Sequence, residues 1–273
     1  MSDAPAPARA LALSAAIVCK NNEATIGRTL DSLVGLCDEI VAIDSGSTDR
    51  TIEMIESRGG RVIRHEWMGH IKTKQLALQS ATRPWVLCID SDESVQSDLA
   101  ASIRVALDPA RDDPAIGGFA VNRKVYYRGR ALNYAWQPEW RCRVVRNGGA
   151  NWGGIDPHDV LSVSRGREAR LSGVLRHDSF TTFGEQLAKQ VRYAEIQARG
   201  MLSEGKRGNV ASLLVSPGAS FLKQLVLKRA FMDGWPGWLA AGCTGAQSLM
   251  KHITLIELER GEGRQSGIGN RES

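Results

Sequence analysis

Residues 85–93 read WVLCIDSDE, a mostly apolar run followed abruptly by three acids, Asp90, Asp92 and Glu93. A continuous apolar run of this length is the pattern of a strand buried in a parallel sheet. The acids then fall at the strand's carboxyl end, the edge where open α/β folds place ligands. Two carboxylates one residue apart suit a hard divalent cation that also holds phosphate oxygens.

Toward the N-terminus, strand and helix patterns alternate. Leu11–Cys19 reads as a strand, followed by a helix with Ile26, Leu30 and Leu33 at helical spacing and Asn22 or Glu23 near its start. Glu39–Asp44 is a second strand ending in an acid; Thr48 or Asp49 is the expected N-cap of the next helix, which carries Ile52 and Ile55. Gly59 and Gly60 stop that helix, RVIRHEW forms a short strand, and 71–80 is a helix with Lys72 and Lys74 near its start. Such alternation predicts a parallel sheet with covering helices. Lys20–Glu23, Asp44–Asp49 and Asp90–Glu93 all fall on strand–helix junctions, so they converge on one edge and can build one pocket.

Beyond the acids, a helix is expected from Asp98 to Leu107, then a strand and basic turn through GGFAVNRKVYYRGRAL. Trp136–Arg146 is strand-like with interleaved arginines, and the glycine-rich NGGANWGGIDPHDVL that follows reads as a loop presenting side chains. From Phe183 the period changes to that of a helix, with Phe183, Leu187, Val191, Ala194, Ala198 and Leu202 on one face. A second helix holds Phe221, Leu222, Leu225 and Val226, FMDGWPGWLAAG breaks it, and a last helix runs from about Thr244 to Glu259. The expected organisation is a disordered start (1–10), an α/β domain over 11–182, a helical extension over 183–260 and a disordered tail (261–273).

The chain has 273 residues, 42% of them hydrophobic, and a formal charge of +5, which favours acidic partners such as nucleotides or an anionic surface. The basic residues are dispersed and no nucleic-acid module is recognisable, so nucleic acid is not an expected partner. Five cysteines form no Cys-x-x-Cys pair; Cys19 and Cys88 lie in apolar runs and read as small buried hydrophobes of a reducing compartment. No His-Glu-x-x-His is present. The start lacks the pattern of a signal peptide, and no uninterrupted apolar segment reaches about 18 residues, so no membrane-spanning helix is expected.

Each candidate has a structural alternative. Asp44 could be a turn residue, since SGSTD is good turn chemistry. The acids at 90–93 could cap the next helix, although their mutual repulsion favours a cation. Lys74 could be a solvated helix charge or a contact to a diphosphate. His158, in the glycine-rich segment, could ligate the metal or orient a substrate hydroxyl. Trp136 and Trp140, beside Glu139, could be core or a sugar-stacking wall, and Arg141, Arg143 and Arg146 could face water or an anionic acceptor.

Together, AAIVCKNNEATIGRTLDSL, DEIVAIDSGSTDRTIEMI, GHIKTKQLAL, WVLCIDSDE and VYYRGRALNYAWQPEWRCRVVR resemble a family 2 glycosyltransferase of GT-A fold, nearest to lipopolysaccharide core glycosyltransferases of the inner-core glucosyltransferase kind. The likeness spans about Leu13 to Phe183, and it implies that 11–110 is the nucleotide-sugar half of the α/β domain and 111–182 its acceptor half. It implies a mixed, mostly parallel sheet flanked by helices, a nucleotide-sugar donor (a UDP-sugar), Mg2+ or Mn2+, and a saccharide or glycolipid acceptor. By this resemblance Lys20, Asn21, Asn22, Glu23, Asp44, Ser45, Lys74, Asp90 and Ser91 bind the donor. Asp92, Asp90 and His158 hold the metal, and Trp136, Arg143 and His158 meet the acceptor. Glu139 is the expected general base, with Asp159 (and Asp156) its rivals. Pro157 and Asp159 depart from the family's Val-His-Glu, and Asn22 from its common Glu. The expected reaction is direct displacement with inversion, in the cytoplasm. The helical tail either packs on the catalytic domain or rests a basic face on the cytoplasmic leaflet of the inner membrane. A nucleotidyltransferase and a non-catalytic nucleotide- or carbohydrate-binding protein are the rival classes.

Overall fold

The computed structural model describes residues 11–110, 113–155 and 158–268. The expected disorder of 1–10 and of the last five residues, and the rival base Asp156, lie outside the described residues. Two compact units are present, and the division differs from the expected one. The first runs to Lys124 and takes in Glu139–Asp178; the second comprises Val125–Pro138 and the chain from Ser179. The expected acceptor half is therefore split, with Trp136 in one unit and Glu139 in the other.

The first unit is built on a mixed sheet. Its parallel part comprises β1 (Leu13–Cys19), β2 (Glu39–Asp44), β3 (Arg61–Arg64) and β4 (Trp85–Asp90), in the order β3-β2-β1-β4. Beyond β4 the sheet continues through β8 (Trp140–Arg146), β6 (Ile116–Tyr127), β11 (Arg167–His177) and β5 (Glu93–Val95). The β4–β8, β8–β6 and β11–β5 pairings are antiparallel. The two-residue β7 (Arg130–Ala131) pairs with β6. Helices α1 (Glu23–Leu33), α2 (Thr51–Glu56), α3 (His70–Gln79) and α4 (Ser97–Ala110) join these strands.

The apolar patterns explain the layers. Ile26, Leu30 and Leu33 of α1 are wholly buried with Leu13, Ala15 and Ile17 of β1 and with Trp85 and Leu87 of β4. Alternate residues Ala16, Val86 and Cys88 turn to the other face, against Ala77 and Leu78 of α3. Strand β4 is thus covered on both sides, which is why its sequence lacks alternation. Burial pushes the Cys19 and Cys88 thiols up to about 12, and all five cysteines are free.

The structure differs from the sequence reading at four places. The glycine-rich segment is a hairpin, β9 (Ala150–Ile155) with β10 (His158–Val163), fastened to α3 where the Trp152 backbone N–H donates to Gln75 Oε1 at 2.8 Å. Strand structure before Arg146 begins at Trp140, not at Trp136. Neither Thr48 nor Asp49 caps α2; Arg50 holds that position, while Asp49 Oδ1 accepts from the Thr51 N–H at 3.0 Å. Strand β11 has no counterpart in the sequence reading. It passes so close to α4 that a Cβ on Gly173, which has φ +94°, would meet Leu99 N at 2.3 Å.

The second unit is helical: α5 (Phe183–Ser203), α6 (Val210–Leu222) continued by a π-turn over Lys223–Leu227, a 3-10 turn over Ala230–Asp233, and α7 (Trp235–Ile268). A capping box of Thr182 and Glu185 starts α5. Asp233 accepts from the backbone N–H groups of Asn133, Tyr134 and Ala135 at 2.8–3.0 Å, tying the 125–138 segment to the helices. Helix α7 begins before Thr244 and extends past Glu259, into the tail expected to be disordered. Among the described residues one helical stretch, Val210–Leu227, is long and apolar enough to cross a membrane by length and composition. The sequence reading missed it because Ser212, Ser216, Pro217 and Gly218 interrupt the run without making the window polar.

Candidate active site

The sheet register explains why the strand-end acids share an edge. Cys19 of β1 pairs with Asp44 of β2, and Val18 of β1 pairs with Asp90 of β4. The two aspartates flank β1 at the same carboxyl edge, about 10 Å apart from two strand spacings.

Around Asp44 the geometry is that of a turn organiser. Its buried carboxylate accepts from the Gly46 and Ser47 backbone N–H groups, each at 3.0 Å, and from the Ser47 hydroxyl. Gly46, at φ +93°, supplies the left-handed backbone that folds the turn onto Asp44. The β1–α1 junction interlocks with this turn. Asn21 N–H donates to Ser47 Oγ at 2.9 Å, Asn21 Oδ1 accepts from Thr48 N–H at 2.8 Å, and Asn22 N–H donates to Thr51 Oγ1 at 2.8 Å. Glu23 pairs with Arg50 at 2.6 Å. Lys20 is exposed, while Ser45 is buried with its Oγ unpartnered among the described residues. The turn alternative for Asp44 therefore describes its contacts.

At the end of β4 the acids are satisfied by cations. Asp90 meets Lys74 Nζ at 2.7 Å and Arg143 at 2.9 Å. Burial acts to raise the Asp90 carboxyl, but Arg143 and then Lys74 outweigh it and hold it well below the usual carboxylate range. Glu93 is not a helix cap: it lies on β5, wholly buried, and pairs with Arg143 at 2.7 Å and Arg123 at 3.3 Å. Arg123 and Arg141 continue to Glu139 at 2.6 and 2.9 Å, and Lys74 continues to Asp159 at 2.8 Å. The network pairs four cations (Lys74, Arg123, Arg141, Arg143) with four carboxylates (Asp90, Glu93, Glu139, Asp159). Balanced pairing is what allows so many charges below the surface.

Four residues with expected roles lie in this network. Glu139, the expected base, is clamped by two guanidiniums; burial acts to raise its carboxyl, but Arg123 and Arg141 pull it down to about 2. A base works best with a pKa near the operating pH, so this carboxylate is poorly suited to the task. Arg143, expected at the acceptor, is buried between Asp90 and Glu93. Asp90 has both oxygens engaged by cations, which leaves it a poor metal ligand. Lys74, expected at a diphosphate, bridges Asp90 and Asp159 over the Trp152 ring, 4.8 Å from its centroid. The cleft bordered by Ala16, Val18, Lys74, Asp90 and Trp152 opens beside this bridge.

Ser91 is buried, and its carbonyl accepts from Thr29 Oγ1 at 3.0 Å. Trp136 joins the second unit's aromatic cluster, edge-on to Phe180, with its Nε1–H donating to Thr244 Oγ1 at 3.1 Å. His158 starts β10, and its side chain lies outside what is described.

Asp92 acquires a neighbour that sequence reasoning missed. Pairing of β11 with β5 sets His177 opposite Glu93, and His177 Nε2 lies 3.4 Å from Asp92 Oδ2. Asp92's backbone is fixed by the Asp178 N–H, which donates to its carbonyl at 2.9 Å. One oxygen donor and one nitrogen donor at this separation fit two adjacent positions around a divalent cation. Among the described residues no group of three His, Cys, Asp or Glu could hold a metal. Any cation here would need further oxygens, as diphosphates supply.

Residues 14–164 match the family model described as glycosyl transferase family 2. The lipopolysaccharide core biosynthesis glycosyltransferase LpsC of Rhizobium meliloti is 32% identical over 253 residues, 86% of this chain and 88% of that protein. An uncharacterized glycosyltransferase of Rickettsia typhi is 27% identical over 236 residues, 83% of this chain and 80% of that protein. Among solved structures, glucosyl-3-phosphoglycerate synthase from Mycobacterium tuberculosis, in complex with Mn2+, UDP-glucose and phosphoglyceric acid, aligns with 27% identity over 43% of this chain and 44% of that chain, at TM-score 0.33.

Proposed function

The chain belongs to glycosyl transferase family 2, and from that premise we propose that it moves a sugar from a UDP-sugar to a saccharide hydroxyl with inversion at the anomeric carbon. The acceptor class we propose is the lipopolysaccharide core or another cell-envelope glycan, supported by the likeness to LpsC along most of both chains. Such an acceptor is lipid-borne, which puts the enzyme on the cytoplasmic face of the inner membrane. The observation that carries the reading is the Asp92–His177 pair, 3.4 Å apart, beside the charge-balanced carboxyl end of β4.

In this mechanism Asp92 and His177 hold Mn2+ or Mg2+; the mixed oxygen and nitrogen donors favour Mn2+. The cation, when bound, neutralises charge building on the departing diphosphate. Asp44 and the turn it organises wall the nucleoside, with Asn21 and Asn22 keeping that wall in place. Asp159 replaces Glu139 as the proposed base: it has one cationic partner at 2.8 Å where Glu139 has two guanidiniums. Lys74 orients Asp159 and holds Asp90 in the same grip. Glu139 becomes a positioning residue that keeps Arg123 on Glu93.

The test is calorimetry of Mn2+ binding with and without UDP, followed by UDP-sugar turnover. We expect weak Mn2+ binding alone, tight binding with UDP, and loss of that coupling in both Asp92→Asn and His177→Ala. Tight Mn2+ binding that ignores UDP and survives both substitutions would sink the assignment. UDP binding without UDP release from any UDP-sugar and saccharide acceptor would favour a non-catalytic binding protein.

A further inference from the structure

Helix α6 is turned inside out. Its exposed positions recur at three- and four-residue spacing, 211, 214, 215, 218, 219 and 222, and continue to 226 in the π-turn. That pattern marks the solvent face of a helix, which is ordinarily polar. Here it reads Ala, Leu, Val, Gly, Ala, Leu and Val. Leu214, Val215 and Leu227 expose 74%, 66% and 76% of their surface. Only 11% of the Val210–Leu227 window is buried, so this is not a core helix. Phe231, Trp235 and Trp238 follow directly and are also exposed. An apolar face of this extent marks an interaction surface.

Charge identifies the occupant. Between Glu204 and Asp233 the chain carries Lys206, Arg207, Lys223, Lys228 and Arg229 and no acid; Lys206 and Arg207 pair with Glu204 and Glu259 at 2.8 and 3.5 Å, so the positive charge of the face is that of the exposed Lys223, Lys228 and Arg229 at its far end. Two copies of such a face would bring like charges together, whereas anionic headgroups complement them. Exposed tryptophans beside a helix of Leu and Val suit the boundary between headgroups and acyl chains.

We propose that α6, the π-turn after it and the start of α7 form a membrane-docking face that lies in the headgroup–acyl boundary of an anionic bilayer. The helix lies on the membrane and does not cross it. Val210–Leu227 is long and apolar enough to cross by length and composition, but Lys223 and the π-turn it begins interrupt that window, and the 13 residues of α6 alone rise about 20 Å against a hydrocarbon core of about 30 Å. Its other side is committed to α7: a Cβ on Gly245 would lie 3.2 Å from Pro217 O and 3.3 Å from Phe221 Cβ. The inference deepens the proposed membrane-borne acceptor and rests on that reading for its purpose, but its test uses neither donor nor acceptor.

The test is co-sedimentation of the full chain with vesicles of phosphatidylethanolamine and phosphatidylglycerol, beside vesicles of phosphatidylcholine alone. The expected result is binding to the anionic vesicles that weakens about tenfold at high salt. Combined Leu214→Gln, Val215→Gln and Leu227→Gln should lower the partition coefficient about a hundredfold, with thermal unfolding unchanged. Lys223→Glu should weaken binding to anionic vesicles and leave binding to phosphatidylcholine unaffected. The proposal fails if the full chain stays in the supernatant with anionic vesicles, or if the triple variant sediments as the full chain does. It fails equally if light scattering shows a dimer that the triple variant dissociates while neither protein binds vesicles, which would assign the face to a second copy.

Discussion

Strands β2 and β4 end alike in sequence, each in an apolar run closed by Ile-Asp, and flank β1 at the same edge. Asp44 is satisfied by two backbone N–H groups and a hydroxyl from the next three residues. Asp90 is satisfied by Lys74 and Arg143, which arrive from another helix and an antiparallel strand. The first aspartate fixes the shape of a loop; the second fixes the charge of a site. Local hydrogen bonds survive loss of a charge much better than a buried ion network survives loss of a partner.

The largest expected effect lies on the Asp90 side, at the far end of the Lys74 bridge. Asp159→Asn keeps an oxygen that can accept from Lys74, so the fold and the KM for the donor should hold. Removal of the proposed base should lower kcat by about 10²–10⁴. Glu139→Gln serves as the control, with a much smaller loss of kcat. If the two variants exchange these outcomes, Glu139 is the base in spite of its two guanidiniums.

Next is the network itself. Arg143→Leu leaves half-buried Asp90 and wholly buried Glu93 with one cation each. Denaturant unfolding should show a loss of about 3–5 kcal/mol, as when one partner of a buried ion pair is removed. A loss below about 1 kcal/mol would mean that water or rearranged neighbours satisfy those carboxylates, and the contrast with Asp44 would collapse.

The same network sets an acid limit. Glu139 has its carboxyl held at about 2, against an ordinary 4.5. A folded-state pKa below the unfolded one contributes stability that is present above the unfolded value and lost as pH falls toward the folded one. Between about pH 5 and about pH 2, unfolding free energy should therefore drop by about 2–3 kcal/mol on account of Glu139. Glu139→Gln, which does not titrate, should remove that part of the pH dependence. An unchanged slope would detach Glu139 from Arg123.

How much of this was legible depends on where each residue's partners lie. The parallel strands and α1 were legible because burial on both faces writes continuous apolar runs, and one-sided burial writes a helical period. The hairpin β9–β10 was not, because Gly148, Gly149, Gly153 and Gly154 read as turn chemistry, while what makes strands of the segment is the pairing of its two halves with each other, held to distant α3 by the Trp152–Gln75 bond. The strand-end acids were visible as a pair. Their cations were not, since Arg123 and Arg143 reach Glu93 only when β8 pairs antiparallel with β4 and β6 pairs antiparallel with β8. His177 left no local signal; the register of β11 on β5 delivers it to Asp92. In α6 the apolar residues were plain, but only the structure shows that they face outward.

The smallest expected effect returns to Asp44 and decides the contrast from its other side. Asp44→Asn retains one side-chain oxygen where the carboxylate has two, so one of the donors from Gly46 N, Ser47 N and Ser47 Oγ loses its acceptor. The loss should be about 1 kcal/mol in denaturant unfolding, with the turn still closed by the remaining bonds. Donor KM should rise several-fold while kcat with saturating donor is kept, because a turn that shapes the nucleoside wall acts on binding and not on the displaced bond. A fall in kcat with donor KM unchanged would place Asp44 in the chemistry. A stability loss as large as that of Arg143→Leu would mean that the Asp44 charge, and not its hydrogen-bond geometry, holds the turn.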